Sequence, residues 1–293
     1  MHVSVLLQPS IEALNLKPGM TVLDGTFGAG GHSRAIAKVI GKKGTLVSLD
    51  VDKDVFSKEK VEELERLTTF TPIVVNFKNA EEALKHLDFD AALFDLGLSS
   101  TQLEQSGRGF SFQKDEPLLM TFKSQPTEED VTAFTIVNDW REDTLATIFK
   151  GFGEERFAKR IASSIALERK LGPIARTSQL VDIILAATPA WYHRGRTHPA
   201  TRIFQALRMA ANDELGAIEK GLATTLERIT VGGRLAVISF HSIEDRKVKQ
   251  LFKAFVAEGR AKAITKKPII GSDEELEVNP RARSAKLRII ERV

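Results

Sequence analysis

The sequence contains no cysteine among its 293 residues. It can therefore form neither a disulfide nor a thiolate zinc site, and it has no thiol for nucleophilic catalysis. No apolar run is long enough to cross a bilayer, and the opening residues MHVSVLLQPS lack the basic-then-apolar order of a secretion signal. We therefore expect a cytoplasmic protein that does not enter a membrane.

The net charge is small, but the charges are unevenly distributed. The chain is 42% hydrophobic and 28% charged, enough for one large domain or two modest ones, and its formal net charge is +3. Segment 150–208 holds eleven Lys or Arg against four Asp or Glu, whereas 110–149 holds three against eight. The basic segment is a candidate nucleic-acid surface, with a solvated helix face as the alternative.

A glycine-rich stretch, TVLDGTFGAGGHS at 21–33, carries the first functional signal. It reads as a strand ending at Asp24, a tight turn, and a helix that begins near Ser33. The glycines allow a ligand to approach the main chain closely, and the first amides of the helix point toward that ligand unpaired. This pattern predicts a nucleotide-type cofactor site, with an empty glycine loop as the alternative.

Apolar strands and amphipathic helices alternate up to Asp95, which predicts half of a doubly wound parallel sheet. Between 96 and about 199 there are helical patterns and no convincing buried strand. The alternation resumes with one long helix at 201–229, a turn at Gly232 and Gly233, and the strand RLAVISF. We therefore predict an α/β domain at 1–105 and 200–293, with an all-helical insertion at 106–199.

Two known phosphate-binding patterns are missing from the glycine stretch. G-x-G-x-x-G fails because Ser33 stands where the third glycine belongs, and no Gly-Lys-Ser/Thr follows for a P-loop. The turn D-x-x-x-G-x-G is closer to the first motif of S-adenosylmethionine-dependent methyltransferases. Asp50 and Asp95 also end predicted strands, and the carboxyl edge of an open α/β sheet is where ligands bind.

Several longer segments resemble one family. They are DGTFGAGGHS, DLGLSSTQLEQSGRGFSF, GEERFAKRIA, HPATRIFQALRMAANDEL, ISFHSIEDRKVK and NPRARSAKLRIIER. Together they resemble the RsmH (also called MraW) family, methyltransferases that act on cytosine N4 in small-subunit ribosomal RNA. The resemblance spans nearly the whole chain.

This resemblance implies a Rossmann-like class I methyltransferase sheet with an inserted helical domain, S-adenosylmethionine as cofactor, and ribosomal RNA or the small ribosomal subunit as partner. We expect a monomer or homodimer, and no metal site. Besides Gly28 from the loop pattern, the residues expected at the cofactor are Gly30, Gly31, His32, Asp50, Phe77, Asp95 and Gln102. Taken alone, Phe77 would be as well explained by the core as by stacking on adenine.

The proton acceptor for cytosine N4 is less defined, because the Asp-Pro-Pro-Tyr motif of other amino-methyltransferases is absent. The candidates are Asp95 or the carbonyls of 96–99, followed by His241 and His198. A cap on the next helix is the alternative role for His241.

The expected RNA contacts are mostly arginines, which bind phosphate through a bidentate fork. They are Arg108, Arg156, Lys159, Arg160, Arg194, Arg196, Arg202 and Arg208 near the insertion, together with His198, and a second patch is formed by Asn279, Arg281 and Arg283. Phe110 and Phe112 are candidates for stacking on an extruded base, or else anchors of their loop in the core.

The chain departs from the family pattern at two places. Ser4 and Pro9 replace a proline and a glutamate, and Leu119 and Thr121 replace an aspartate and an arginine. Besides cytosine-N4 methylation, these departures leave open a non-catalytic RNA-binding or ribosome-assembly protein, and a methyltransferase with a shifted target.

Overall fold

The computed structural model describes residues 4–98, 103 and 106–293, and it separates into two compact units. We call 1–97 with 215–293 the sheet unit, and Leu98–Glu214 the helical unit. These boundaries differ from the predicted division at 105/106 and 199/200. Within the described part of the chain, no helix is both long enough and apolar enough to span a membrane.

The first half of the sheet unit alternates strands and helices as the sequence predicts. Its elements are α1 (Leu7–Leu14), β1 (Thr21–Asp24), α2 (Gly31–Ile40), β2 (Thr45–Asp50), α3 (Lys58–Glu65), β3 (Thr69–Val74), α4 (Glu81–Leu84) and β4 (Phe89–Asp95). β3 is largely exposed and contains Pro72, which suits the edge strand that it forms. Helix α1 has no counterpart in the sequence prediction.

The helical unit packs its own core. Its helices are α5 (Ala133–Asp139), α6 (Glu142–Gly151), α7 (Ala158–Glu168), α8 (Thr177–Ala187), α9 (Ala190–His193) and α10 (Ala200–Ala211). Apolar residues of α6, α7, α8 and α10, such as Phe149, Ile161, Leu180 and Leu207, are fully buried in one cluster. This core explains why α10 belongs to the helical unit.

The single helix predicted at 201–229 is wrong, because the chain forms two helices there. α10 ends at Ala211 and α11 (Glu214–Arg228) follows. Between them Asp213 has φ 48°, outside the right-handed helical region, and Asn212 donates its side-chain amide to the carbonyl of Met120 at 2.7 Å. These two residues therefore end one helix before the next begins.

The chain then completes the sheet with β5 (Ile229–Ser239), α12 (Ser242–Ala257), β6 (Ala261–Ala263), α13 (Asp273–Val278) and β7 (Lys286–Arg292). The turn predicted at Gly232 and Gly233 is also wrong, because both glycines lie inside β5. There the register between β4 and β5 is irregular, shifting from Phe89 opposite Ile229 to Ala91 opposite Arg234. The glycines therefore mark a bulge in a strand.

The seven strands form one sheet in the order β3-β2-β1-β4-β5-β7-β6. β1 to β5 run parallel, and β7 pairs antiparallel with β5 and β6. Alternate strand residues enter two buried clusters on opposite faces, with Leu23 and Phe94 in one and Val22 and Leu93 in the other. The sequence order reverses between β1 and β4, so the predicted doubly wound α/β fold is confirmed, and its ligand edge lies at the carboxyl ends of these strands.

Candidate functional site

Asp24, at the end of β1, fixes the glycine loop from within the core. Its carboxylate is fully buried and accepts hydrogen bonds from the Ser33 hydroxyl at 2.6 Å and from the Thr26 amide at 3.1 Å. Burial raises the pKa of Asp24 to about 7. This acid therefore ties the end of the strand to the first turn of α2, and its role is structural.

The loop that follows has one glycine favoured by its backbone conformation and a second that is closely packed. Gly30 has φ 81°, and a Cβ there would lie 3.0 Å from the Phe27 ring. A Cβ on Gly31 would collide with the hydroxyl of Ser4. Ser4, one of the departures from the family pattern, therefore lies directly against the loop.

Asp50, at the end of β2, lies beside this loop. One carboxylate oxygen accepts the Gly28 amide at 2.8 Å, and the other accepts the Asp52 amide at 3.0 Å. Burial raises the pKa of Asp50. Since a carboxylate offers about four acceptor positions, this one can also accept hydroxyl groups from a ligand in the loop.

Asp95 ends β4 at the point where the strand order reverses. Its amide donates to the Thr26 hydroxyl at 2.6 Å, and its Oδ1 is buried without a hydrogen-bond partner among the described residues. Burial raises the pKa of Asp95 to about 8, and the nearby charge of Asp24 adds to this, whereas Arg281 opposes it. An unpartnered buried oxygen on an acid with this pKa is well suited to exchange a proton with a ligand.

His32 adjoins Asp95 from the first turn of α2. The ring is buried, with Nε2 3.2 Å from the Val5 carbonyl and Nδ1 3.6 Å from Oδ2 of Asp95. A carbonyl only accepts hydrogen bonds, so Nε2 carries a hydrogen, and in the neutral ring the Nδ1 lone pair faces Asp95. His32 therefore presents an acceptor or a positive charge to Asp95, depending on its protonation.

Phe77, for which the sequence left core packing and adenine stacking as alternatives, packs against the core of the sheet unit. Its ring meets Phe94 edge-on, with 5.4 Å between centroids, and a Cβ on Gly221 would collide with it. The residue nevertheless stays partly exposed. Its contact with adenine remains a prediction, and Gln102 lies outside the described residues.

His241 is the N-cap residue of α12. Its Nδ1 accepts the Glu244 amide at 3.3 Å, and its Nε2 lies 3.1 Å from a carboxylate oxygen of Glu244. Glu244 is itself buried and accepts the Phe240 amide at 2.9 Å. Nδ1 thus caps the helix while Nε2 faces the Glu244 carboxylate, and a catalytic role for His241 stays a prediction.

The residues predicted to contact RNA differ in how exposed their side chains are. Those with exposed side chains are Arg156, Lys159, Arg160, Arg194, Arg196, His198 and Arg283, while Arg202 and Arg281 are partly exposed. Arg108 and Phe110 are instead buried in the helical unit, where the Arg108 guanidinium donates to the Phe122 carbonyl at 2.7 Å. Arg208 forms a two-pronged ion pair with Glu214 at 2.7 and 2.9 Å.

Burial therefore corrects the surface assignment of Arg108 and Phe110. The Phe110 ring lies 6.0 Å from that of Phe122, centroid to centroid, which agrees with an anchor in the core. Phe112 is partly exposed and stacks on His198 at 4.7 Å. The carbonyls that bind Arg108 belong to Thr121 and Phe122, more than ten residues along the chain. The sequence around Arg108 therefore does not distinguish it from the exposed arginines.

Neither Thr26 nor the hydrogen bond from Ser33 to Asp24 was identified from the sequence as part of the site. Thr26 accepts the Asp95 amide and donates its own amide to Asp24, so it joins two strand ends. Ser33 served only as evidence against a dinucleotide motif, although its hydroxyl binds Asp24. A hydroxyl placed nine residues after a strand-end aspartate was the available signal.

Comparison with known proteins finds a family model and individual relatives that match the whole chain. The model of the MraW methylase family matches residues 1–293. Two relatives, each named ribosomal RNA small subunit methyltransferase H, are 43% identical in Heliobacterium modesticaldum and 42% in Clostridioides difficile. The alignments cover 100% of this chain and 98% and 99% of those proteins. A solved rRNA methylase from Streptococcus thermophilus is 12% identical, with a TM-score of 0.45 over 100% of this chain and 99% of that one.

Proposed function

Because this chain belongs to the MraW methylase family over its whole length, it is an S-adenosylmethionine-dependent methyltransferase, and we propose that it methylates cytosine N4 in small-subunit ribosomal RNA. The names of its full-length relatives support ribosomal RNA of the small subunit as the substrate. The observation that carries the chemistry is Asp95, an acid with a buried, unpartnered oxygen at the reversal point of the sheet.

The residues at the sheet edge fit the cofactor. Asp50 has acceptor capacity for ribose hydroxyls, and the loop from Gly28 to Gly31, in which Gly28 and Gly30 have positive φ, allows a ligand to approach the main chain. Phe77 supplies the partly exposed ring for adenine. When bound, S-adenosylmethionine supplies a methyl group already activated by its sulfonium, so the protein has mainly to position the acceptor.

The acceptor is the harder half of the reaction, since the N4 lone pair of cytosine is delocalised into the ring. Forming the new N–CH₃ bond requires N4 to lose one proton. The Asp95 carboxylate accepts a hydrogen bond from the N4 amine, localises the lone pair, and takes the proton. Only ionised Asp95 can take this proton, and because its pKa is raised to about 8, the ionised fraction and the methylation rate should increase as the pH rises from 6 toward 8.

The departures at Leu119 and Thr121 leave the strand-end acids in place. Both positions belong to a segment in the interior of the helical unit, where Leu118, Met120 and Thr121 are buried. The Met120 amide donates to the Arg108 carbonyl at 2.7 Å within that unit. The substitutions therefore alter packing there and remove none of the strand-end acids.

The proposal is tested with labelled S-adenosylmethionine and small ribosomal subunits from cells that lack this protein. We expect label in one cytidine, recovered as N4-methylcytidine after nucleoside digestion. Asp95→Asn should lower the rate at least 100-fold at saturating cofactor. Asp88→Asn, at an exposed position just before β4, is the matched control. Tight subunit binding without methyl incorporation would instead identify the assembly role.

A further inference from the structure

Trp191 is a large aromatic residue on the surface of the helical unit that is nevertheless held in place. It is 56% exposed and lies in α9. Its ring meets Phe157 and Tyr192 edge-on, each with 5.9 Å between centroids. The Arg156 guanidinium lies 4.9 Å from the centroid of the Trp191 ring and 5.1 Å from that of Phe157. The exposed indole is therefore part of an ordered arginine–aromatic stack.

A buried acid anchors this stack from beneath. Glu155 is 2% exposed, and one of its oxygens accepts the Tyr192 hydroxyl at 2.7 Å while the other accepts the Phe157 amide at 2.7 Å. Burial and the neighbouring Glu155 raise the pKa of Tyr192 to about 12, so the hydroxyl remains a donor. Glu155 thus links the loop before α7 to α9, and the stack is preorganised.

Positive charge surrounds this feature. Lys159 and Arg160 follow Arg156 on α7 with exposed side chains, and Arg194 and Arg196 are exposed just after α9. The nearby acids are Glu154, which is exposed, and Glu155, whose carboxylate is buried and bonded. The surface therefore offers a flat aromatic face within a predominantly cationic field.

We propose that Trp191 and Arg156 form a binding site for an unpaired RNA base, with the surrounding cations holding its flanking phosphates. A base within a duplex has both faces covered by its neighbours, so only an unpaired base can stack on this pair. The strong local positive charge favours RNA over a protein surface of mixed charge. The assignment of the RNA as ribosomal rests on the proposed function, whereas the stacking site does not.

The direct test uses the fluorescence of Trp191. The chain has two tryptophans, so Trp140→Phe leaves Trp191 as the only one. A 12-nucleotide unstructured oligocytidylate should quench its emission, and a duplex RNA of the same length should not. By RNA anisotropy, Trp191→Ala should weaken binding of the single strand about tenfold and Trp191→Phe less, as expected for the loss of one base–aromatic stack.

The controls separate stacking from general damage. Phe134→Ala removes another exposed aromatic of the helical unit, and Arg141→Ala removes an exposed arginine paired with Asp143. Both should bind RNA as the wild type does, and both should keep the wild-type melting temperature, as should Trp191→Phe. Equal quenching by single and double strands, or wild-type affinity in Trp191→Ala, would overturn the proposal.

Kinetics on small subunits distinguish this proposal from the proposed function. Trp191→Ala should raise KM for the subunit about tenfold with little change in kcat. If the wild type methylates subunits and Trp191→Ala has normal RNA affinity and KM, the stacking site alone is wrong. If the single strand binds through Trp191 but no methyl is transferred, the enzymatic proposal alone is wrong. A raised KM with normal RNA affinity would place Trp191 against a ribosomal protein and overturn the RNA assignment.

Discussion

Replacing Asp95 by asparagine should make the protein more stable at alkaline pH, although it removes the proposed proton acceptor. Folding raises the pKa of this acid from 3.8 to about 8, mainly through burial. Well below pH 3.8 the group is protonated in both states and contributes no difference. Between pH 4 and pH 8 the unfolded chain loses the proton while the native state keeps it, so the wild type loses stability as the pH rises and levels off above 8.

The size of this loss follows from the shift in pKa. One unit corresponds to about 1.4 kcal/mol, so a shift from 3.8 to about 8 gives at most about 6 kcal/mol. The Asp95 side chain is 28% exposed, so solvent screens part of the penalty and this value is an upper limit. Asparagine carries no charge, so it avoids the free-energy cost of burying a carboxylate. The hydrogen bond from the backbone amide of residue 95 to the Thr26 hydroxyl is unaffected by the substitution.

The assay is urea denaturation at half-unit pH steps from 4.5 to 9. The pH-dependent difference in unfolding free energy between Asp95→Asn and the wild type should already be about 1 kcal/mol at pH 4.5, because the unfolded acid ionises around pH 3.8, and should grow by up to about 4 kcal/mol more in favour of the variant by pH 8.5. Asp88→Asn should follow the wild-type curve, because that side chain is exposed. A variant curve parallel to the wild-type curve over this range would refute the raised pKa and the reasoning built on it.

Three other predictions concern the cofactor edge. Ser33→Ala removes the hydroxyl donor to buried Asp24 and should lower the unfolding free energy by about 1–3 kcal/mol in urea denaturation. An unchanged unfolding free energy would contradict a structural role for this hydrogen bond. Asp50→Asn should weaken S-adenosylmethionine binding at least tenfold by calorimetry, since it removes an acceptor carboxylate, and normal affinity would remove Asp50 from the site. Gly31→Ala should weaken the same binding by displacing Ser4, and a simultaneous Ser4→Ala should recover part of it; no recovery would show that Ser4 is not the obstacle.

The sheet edge was predictable because its signals are local. The sequence predicts strands that end at Asp24, Asp50 and Asp95, and β1, β2 and β4 end at these residues in the structure. Parallel strands bring their carboxyl ends to one edge, so strand-end acids on neighbouring strands must approach one another. The pattern of the glycine turn then predicted a ligand at that edge without any knowledge of tertiary packing.

The remaining features depend on contacts between distant segments. Arg108 reads as one more surface arginine, and only the carbonyls of Thr121 and Phe122 show that it is buried. Trp191 likewise gains its order from Glu155 and Arg156, which precede it by more than thirty residues. Local sequence gives the type of a side chain, while its exposure and partners are determined by the fold.

The chemistry proposed for Asp95 and its cost to stability have the same physical origin. Burial away from water disfavours the carboxylate, and this both destabilises the native state at high pH and makes the acid hold a proton near neutrality. The neighbouring charge of Asp24 acts in the same direction, so two acids on adjacent strands raise the proton affinity of the one with an unpartnered oxygen. An asparagine at 95 would relieve the cost, but its amide could not accept the N4 proton. The functional requirement therefore explains why an acid occupies a position where a neutral side chain would be more stable.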